Sequence, residues 1–97
     1  MAHTPDTVLG IVKARLNRLA SDTSLDQYLT QRIEATDREL ARTGITLESD
    51  DVEDQVFLAD MVVWQHQNRD KQSGMPEWLR MRRRERWLQQ SQRNEVI

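Results

Sequence analysis

The chain has 97 residues, no cysteine, three glycines, two prolines and a formal net charge of −2. This length fits one domain with a thin core, and the lack of cysteine excludes disulfides, thiolate nucleophiles and thiolate metal ligands. Few glycines and prolines favour long helices over a sheet with many turns. We therefore expect an all-α fold, a small bundle of about four helices with a C-terminal basic arm.

Hydropathy places the chain among soluble proteins. No apolar run approaches the roughly 20 residues that a membrane span requires. The first residues lack the basic and apolar regions of a signal peptide. We expect a protein made in a reducing cytoplasm, with no membrane as partner.

Charge is distributed unevenly along the chain. Residues 22–60 contain 11 acids and 3 arginines, a balance of −8, whereas residues 69–93 contain 8 bases and 3 acids, a balance of +5. This polarity favours head-to-tail contact between copies, or separate surfaces for an acidic and a basic partner. Ordinary solvated helix faces are the alternative interpretation.

Two amphipathic helices are predicted in the first half of the chain. Thr4 and Pro5 form a helix start, and the helical spacing of apolar residues extends this first helix over residues 5–20. Ser24 is the expected N-cap of a second helix, which Gly44 ends. The apolar stripes consist of Val8, Leu9, Val12, Leu16 and Leu19 in the first helix, and of Leu25, Tyr28, Leu29, Ile33, Thr36 and Leu40 in the second. A short polar turn between them predicts an antiparallel helical hairpin.

A third helix is predicted over residues 51–71, with Asp50 as its N-cap. Before it, Ile45 and Leu47 are expected to pack against the hairpin. Its apolar positions are Val52, Val56, Phe57, Ala59, Met61, Val63 and Trp64. Because they occupy much of the circumference, we expect the central helix of the bundle, or one that also meets a second subunit. The acids at its start lack the glycine and alternating ligands of a calcium loop.

The last helix is predicted over residues 76–91, because Gly74 breaks the third helix and Pro76 begins a new one. On this helix Trp78, Met81, Glu85 and Leu88 share one face, whereas Arg80, Arg83, Arg84 and Trp87 share another side. We divide the single domain into a three-helix body (residues 1–73), a Trp/Arg helix (residues 74–91) and a flexible tail (residues 92–97).

Motifs for catalysis are absent from the sequence. The chain has no GxSxG, P-loop, GxGxxG or HExxH pattern. His66 has no second histidine or cysteine nearby, and capping or solvation accounts for nearly all the carboxylates. We expect no enzymatic activity, no catalytic residue, no cofactor and no bound metal.

Tryptophan and arginine residues of the last helix are the candidate binding residues. These residue types are enriched at interface hot spots, and arginines beside stacking tryptophans also bind phosphates and bases. The candidate residues are Trp78, Leu79, Arg80, Arg82, Arg83, Arg84, Arg86 and Trp87. In the alternative interpretation Trp78, Leu79 and Trp87 pack on the hairpin, and the arginines form salt bridges with the acidic middle of the chain.

Several short segments form a recognisable pattern. They are LDQYL at 25–29, QRIEA at 31–35, Gly44-Ile45, the acidic cap at Asp50-Asp51, the long helix through Val63-Trp64, GMPEWLRMR at 74–82 and RER at 84–86. Together they resemble the small head–tail connector (adaptor) proteins of tailed bacteriophages and prophages. The resemblance covers about residues 8–88.

The resemblance implies a mostly helical subunit that forms an oligomeric ring beneath the portal. Such a ring extends the DNA channel, helps to close the filled head and offers a docking platform for the tail. The implied partners are further copies of the chain, the portal protein and a tail or head-completion protein, with transient passage of double-stranded DNA. The implied location is the head–tail junction of the virion, after assembly in the host bacterial cytoplasm.

In such families the C-terminal segment often reaches onto the portal, which here corresponds to residues 75–88 and the tail beyond. The density of arginine at 82–84 departs from the family pattern. It leaves open whether the arm meets acidic portal residues or packaged DNA. The alternative function is that of a small DNA-associated or regulatory helical protein that uses the arginines of residues 80–86 on phosphates.

Overall fold

Four α-helices make up the part of the chain that the computed structural model describes, namely residues 5–19, 21–48, 50–68 and 74–95. They are α1 (Pro5–Arg15), α2 (Asp26–Arg42), α3 (Val52–Gln67) and α4 (Glu77–Glu95). No strand occurs among these residues, and the predicted all-α class is confirmed. Within the same residues, no helix combines the length and apolar character that a membrane crossing needs.

α1 is shorter than its apolar stripe predicts. It ends at Arg15 rather than Ala20, and Asn17 follows with a φ of 59°, in the left-handed region. Asparagine adopts that conformation more readily than most residues, so it provides a helix stop that apolar spacing ignores. Leu19, expected on the buried stripe, is consequently 74% exposed.

The start of α2 differs from the predicted capping. Leu25 occupies the N-cap position without a side-chain hydrogen bond. Ser24 instead donates to the Asp22 carboxylate, from its hydroxyl at 2.7 Å and from its backbone N–H at 3.0 Å. The prediction was wrong because α2 begins one residue later, which leaves Ser24 before the N-cap in a local turn closed on Asp22. At the other end Gly44 has a φ of 98° and follows the helix as predicted.

The N-cap of α3 is Asp51 rather than the predicted Asp50. Its carboxylate accepts the backbone N–H groups of Glu53 at 2.9 Å and Asp54 at 3.4 Å, the two donors that an N-cap side chain normally satisfies. The helix ends at Gln67. Its predicted end, Lys71, lies outside the described residues.

α3 is the central helix, as predicted. Every residue from 57 to 63 is buried, because α1, α2 and α4 all contact this helix, and α1 also contacts α2. The connecting loop contributes Ile45 and Leu47, which are buried as expected. The apolar core consists of Val8, Val12, Leu29, Ile33, Leu40, Ile45, Leu47, Phe57, Leu58, Ala59, Met61, Val62, Val63 and Leu79.

Among the described helices, α3 is the one whose backbone α4 approaches closely. Leu79 is the only buried side chain of α4 among those described. The helix continues to Glu95, so it passes the predicted end at Ser91 and includes most of the segment that was expected to be a flexible tail. The remaining tail residues, Val96 and Ile97, lie outside the described part of the chain.

Candidate interaction surface on the C-terminal helix

The arginine run of α4 is divided between two sides of the helix. Leu79, Arg82 and Arg86 are spaced i, i+3 and i+7, so they share the face that meets α3. Arg80 and Arg84 lie away from that face, and Arg83, four residues after Leu79, lies half-buried at its edge. The run is therefore two separate groups of cations with different surroundings.

Arg86 forms an ion pair with a buried acid of α3. Its Nη1 lies 2.7 Å from Asp54 Oδ1, and its Nη2 lies 3.6 Å from the exposed carboxylate of Glu53. Asp54 Oδ2 accepts the backbone N–H of Glu48 at 2.8 Å. One oxygen of the buried carboxylate thus accepts a hydrogen bond and the other lies at ion-pair distance from a guanidinium, and both contacts offset the cost of removing the carboxylate from water.

Asp60 links α4 to both α3 and α1. This carboxylate is 4% exposed, and it accepts hydrogen bonds from Arg82 Nη1 at 2.9 Å and from Arg15 Nη1. Arg82 also lies over the ring of Trp78, with 5.6 Å between the guanidinium carbon and the ring centroid, a cation–π geometry. One buried acid therefore fixes the position of an arginine and, through it, of a tryptophan.

These contacts decide which candidate residues are accessible. Leu79, Arg82 and Arg86 face the body, as in the alternative interpretation, because their spacing brings them onto acidic and apolar positions of α3. Leu79, one of the candidate binding residues predicted from the sequence, is fully buried in this arrangement, and its contact with a partner stays a prediction. Trp78 and Trp87 are 49% and 46% exposed, so they do not pack fully on the hairpin.

The two tryptophans lie on opposite flanks of α4. They are about two and a half turns apart, which places their side chains on opposite sides of the helix axis. Between them, Met81 and Leu88 are also exposed. A partner surface must therefore wrap around α4 to contact both rings, or two partners must each contact one.

A cleft separates α4 from the loop that follows α2; we call it the α2–α4 cleft. Its volume is about 380 Å³, and it is lined by Thr43, Ile45, Arg80, Arg83, Arg84 and Trp87. Gln90 Nε2 donates to the carbonyl of Thr46 at 3.1 Å and ties the far end of α4 to the loop. The predicted grouping of three arginines with Trp87 on one side of the helix is thus brought together in one site.

Within the described residues, Arg80, Arg83 and Arg84 form no ion pair. Their spacing places like charges one turn apart, which disfavours the helix slightly unless an anion is present. The α2–α4 cleft therefore offers cationic groups and an indole ring without a counter-charge from the described residues.

A second cleft lies on the other flank of α4; we call it the α3–α4 cleft. Its volume is about 340 Å³, and it is lined by Val52, Glu53, Val56, Phe57, Arg82, Glu85, Arg86 and Gln89. Val52 was expected on the buried stripe but is 69% exposed here, because α4 leaves this groove open. The groove combines an apolar floor with charges of both signs.

Sequence reasoning missed the acids that position the arm, Asp54 and Asp60. One signal was present, since Asp60 interrupts the otherwise apolar residues 56–64.

Within the described part of the chain, no group of His, Cys, Asp and Glu is arranged to hold a metal ion. No protein-family model, curated protein or solved structure significantly matches the chain, so its function is inferred from its own residues.

Proposed function

We propose that the protein is a structural subunit of a bacteriophage head–tail connector, which forms an oligomeric ring between portal and tail and extends the DNA channel. The proposed location is the head–tail junction, after assembly in the host cytoplasm. The observation that carries this proposal is the outer surface of α4. There Trp78, Met81, Trp87 and Leu88 are exposed beside arginines, a composition typical of protein–protein contacts.

The identity of the partner rests on the resemblance of residues 74–86 to connector proteins. Those residues lead into α4 and form its first turns, which include both the face that docks on the body and the face that does not. An arm with one attached face and one open face suits a subunit that reaches onto the portal. Contacts to a tail or head-completion protein then belong to the other surfaces of the assembled ring.

The docking of α4 favours this use of the arm. Asp60 holds Arg82, and Arg82 lies against Trp78. The indole group of Trp78 is therefore ordered before a partner binds. Ordering a large side chain in advance reduces the entropy lost on binding. The exposed Trp78 thus has the properties of an interface anchor.

Charge on the body is consistent with passage of DNA through a ring. Residues 22–60 carry a balance of −8, and acidic surfaces repel phosphates rather than binding them. In the proposed connector the DNA passes the body without adhering to it. No catalytic step or cofactor belongs to this function.

Affinity capture tests the proposal. Tagged protein is added to a nuclease-treated lysate of phage-producing cells, and the bound proteins are identified by mass spectrometry. We expect portal and tail components with the wild type, and their loss with the variant Trp78→Ala/Trp87→Ala. The control Tyr28→Ala removes an aromatic side chain of comparable exposure from α2, and it should retain both components.

One observation favours the alternative of a DNA-associated protein. Arg80, Arg83, Arg84 and Trp87 line one cleft, an arrangement of cations and a stacking surface that also suits phosphates and bases. Failure to recover portal or tail components, together with salt-sensitive binding of DNA from the untreated lysate, would sink the connector proposal and support this alternative.

A further inference from the structure

The side chains that line the α2–α4 cleft are suited to bind an anion. Arg80, Arg83 and Arg84 line it, and the described acids that pair with α4, namely Glu53, Asp54 and Asp60, bind Arg82 and Arg86 instead. Trp87 and Ile45 supply apolar walls between the guanidinium groups. A ligand with carboxylates beside apolar groups matches this lining, because guanidinium binds carboxylate strongly.

The size and surroundings of the cleft favour a short acidic segment over a nucleic acid. Its volume of about 380 Å³ accommodates a few side chains. Glu77 and Glu85 are exposed on the same helix, and their charge opposes a long polyanion more than a segment with two or three carboxylates. Charge complementarity therefore selects an acidic protein segment.

The chain itself carries such a segment at the entrance to α3. Glu48, Asp50 and Glu53 are exposed there, Glu53 with its carboxylate 3.6 Å from Arg86 Nη2 of the same molecule, and we call this group the acidic edge. Its backbone is held in place, since Asp54 accepts the N–H of Glu48 and Asp51 caps the helix. In one molecule Glu53 lines the α3–α4 cleft, on the opposite flank of α4 from the three arginines.

We propose that the α2–α4 cleft binds the acidic edge of a second copy of this chain. The inference rests on the proposed assembly role and names the contact between neighbouring subunits. Because the two surfaces differ, the contact is head-to-tail, and every copy in a ring or filament uses both. In this arrangement the arginines of one subunit's cleft pair with the carboxylates of the next subunit's acidic edge.

Sedimentation velocity of the full chain and its variants tests the contact. The variant Arg80→Glu/Arg84→Glu reverses the charge of two residues in the cleft. The variant Glu48→Lys/Asp50→Lys reverses the charge of two residues in the acidic edge and leaves the Asp51 cap intact. We expect wild-type protein to self-associate and each variant to raise the dissociation constant about tenfold or more, because like charges then face each other. The matched control Arg38→Glu/Arg42→Glu changes the same charge at the same spacing on an exposed part of α2, and it should associate like the wild type.

Mixing the two variants gives the decisive result. In a head-to-tail contact, the intact edge of one variant meets the intact cleft of the other, so the mixture should associate more tightly than either variant does alone. A monomeric wild type, equal loss in the control, or no recovery on mixing overturns the proposal. So does binding of a labelled oligonucleotide at the cleft without self-association.

The affinity capture described above separates this proposal from the connector function. Portal recovery by a wild type that does not self-associate removes the subunit contact and keeps the connector function. Self-association through the cleft without portal recovery keeps the subunit contact and removes the connector function.

Discussion

Asp54 and Asp60 are buried acids, and each is held by an arginine of α4. Removing one partner of a buried ion pair leaves an uncompensated charge, which costs more than the pair contributes. Arg86 is the more sequestered of the two arginines, with 20% of its side chain exposed against 51% for Arg82. Its loss is therefore the sharper test of how α4 is attached.

We expect Arg86→Ala to lower the free energy of unfolding by about 1–3 kcal/mol, because Asp54 then loses its cation in a buried site. The control Arg84→Ala removes the same side chain from an exposed position without an ion pair to a described residue, and should change stability by less than about 0.5 kcal/mol. Urea denaturation followed by circular dichroism measures both. Equal effects of the two variants would mean that Arg86 is not bound to Asp54.

A local hydrogen-bond pair before α2 predicts a pH effect. The hydroxyl and backbone N–H of Ser24, with a smaller contribution from Arg18, lower the pKa of Asp22 from 3.8 to about 2. Because the folded pKa lies below the unfolded one, the contribution of Asp22 to stability is complete above pH 3.8 and is lost as pH falls towards 2.

Carboxyl NMR titration measures this shift directly. We expect Ser24→Ala to move the pKa of Asp22 upwards, because the variant loses the hydroxyl donor. Ser21→Ala, an exposed serine of the same turn, is the control and should leave it unchanged. Titration of wild-type Asp22 near 3.8 would contradict the hydrogen-bonded turn.

Among the elements, the junction of α2 with its following loop depends on one glycine. Gly44 has a φ of 98°, and a Cβ added there would lie 3.4 Å from Nε1 of Trp87. The contact distance is ordinary, so strain in an alanine variant comes from the backbone conformation rather than from the indole ring. This glycine also lies between Thr43 and Ile45, two residues that line the α2–α4 cleft.

We expect Gly44→Ala to destabilise the protein by about 1–2 kcal/mol, because an L side chain disfavours this φ. Gly10→Ala is the opposite control: it lies inside α1 with nothing within 4 Å of an added Cβ. There alanine should stabilise by about 0.5–1 kcal/mol, since it improves helix propensity. Thermal unfolding measures the change in stability of both variants. A stabilising effect of both substitutions would show that the turn at Gly44 relaxes to accommodate alanine.

Periodicity predicted most of the bundle because burial within a helix follows its repeat. Leu29, Ile33 and Leu40 are buried on the expected face of α2, and the all-round apolar character of α3 indicated its central position. The errors lie where a polar side chain decides the local backbone. Asn17 ends α1 early, and Ser24 bonds to an acid instead of capping α2.

The candidate site was only half predictable. The helical repeat groups Arg80, Arg83 and Trp87 without any tertiary information, and the structure places them in one cleft. The other wall, Thr43 and Ile45, depends on how α4 lies against the body. The position of α4 against α3 also determines which of the 14 basic residues in the chain pair with the buried acids. The spacing of residues in the sequence does not predict that pairing.

At the scale of the whole molecule, charge pairing limits how many arginines are available to an external anion. Of the arginines in residues 80–86, Arg82 and Arg86 already bind carboxylates of α3. Only the group in the α2–α4 cleft has no such partner among the described residues. Salt dependence counts the phosphates neutralised on binding, so it reports how many arginines act.

We expect weak binding to duplex DNA with a slope of log K against log salt no steeper than about −2.7, from three available arginines at about 0.9 each. Fluorescence anisotropy of a labelled duplex over roughly 25–200 mM salt measures it. Arg80→Ala should make the slope shallower by about 0.9, whereas the control Arg38→Ala, on α2, should not change it. A slope near −4.5, the value for five arginines, would require Arg82 and Arg86 to leave their carboxylates. The arm would then undock from α3 when it meets DNA, and the cleft would no longer define the surface that a partner contacts.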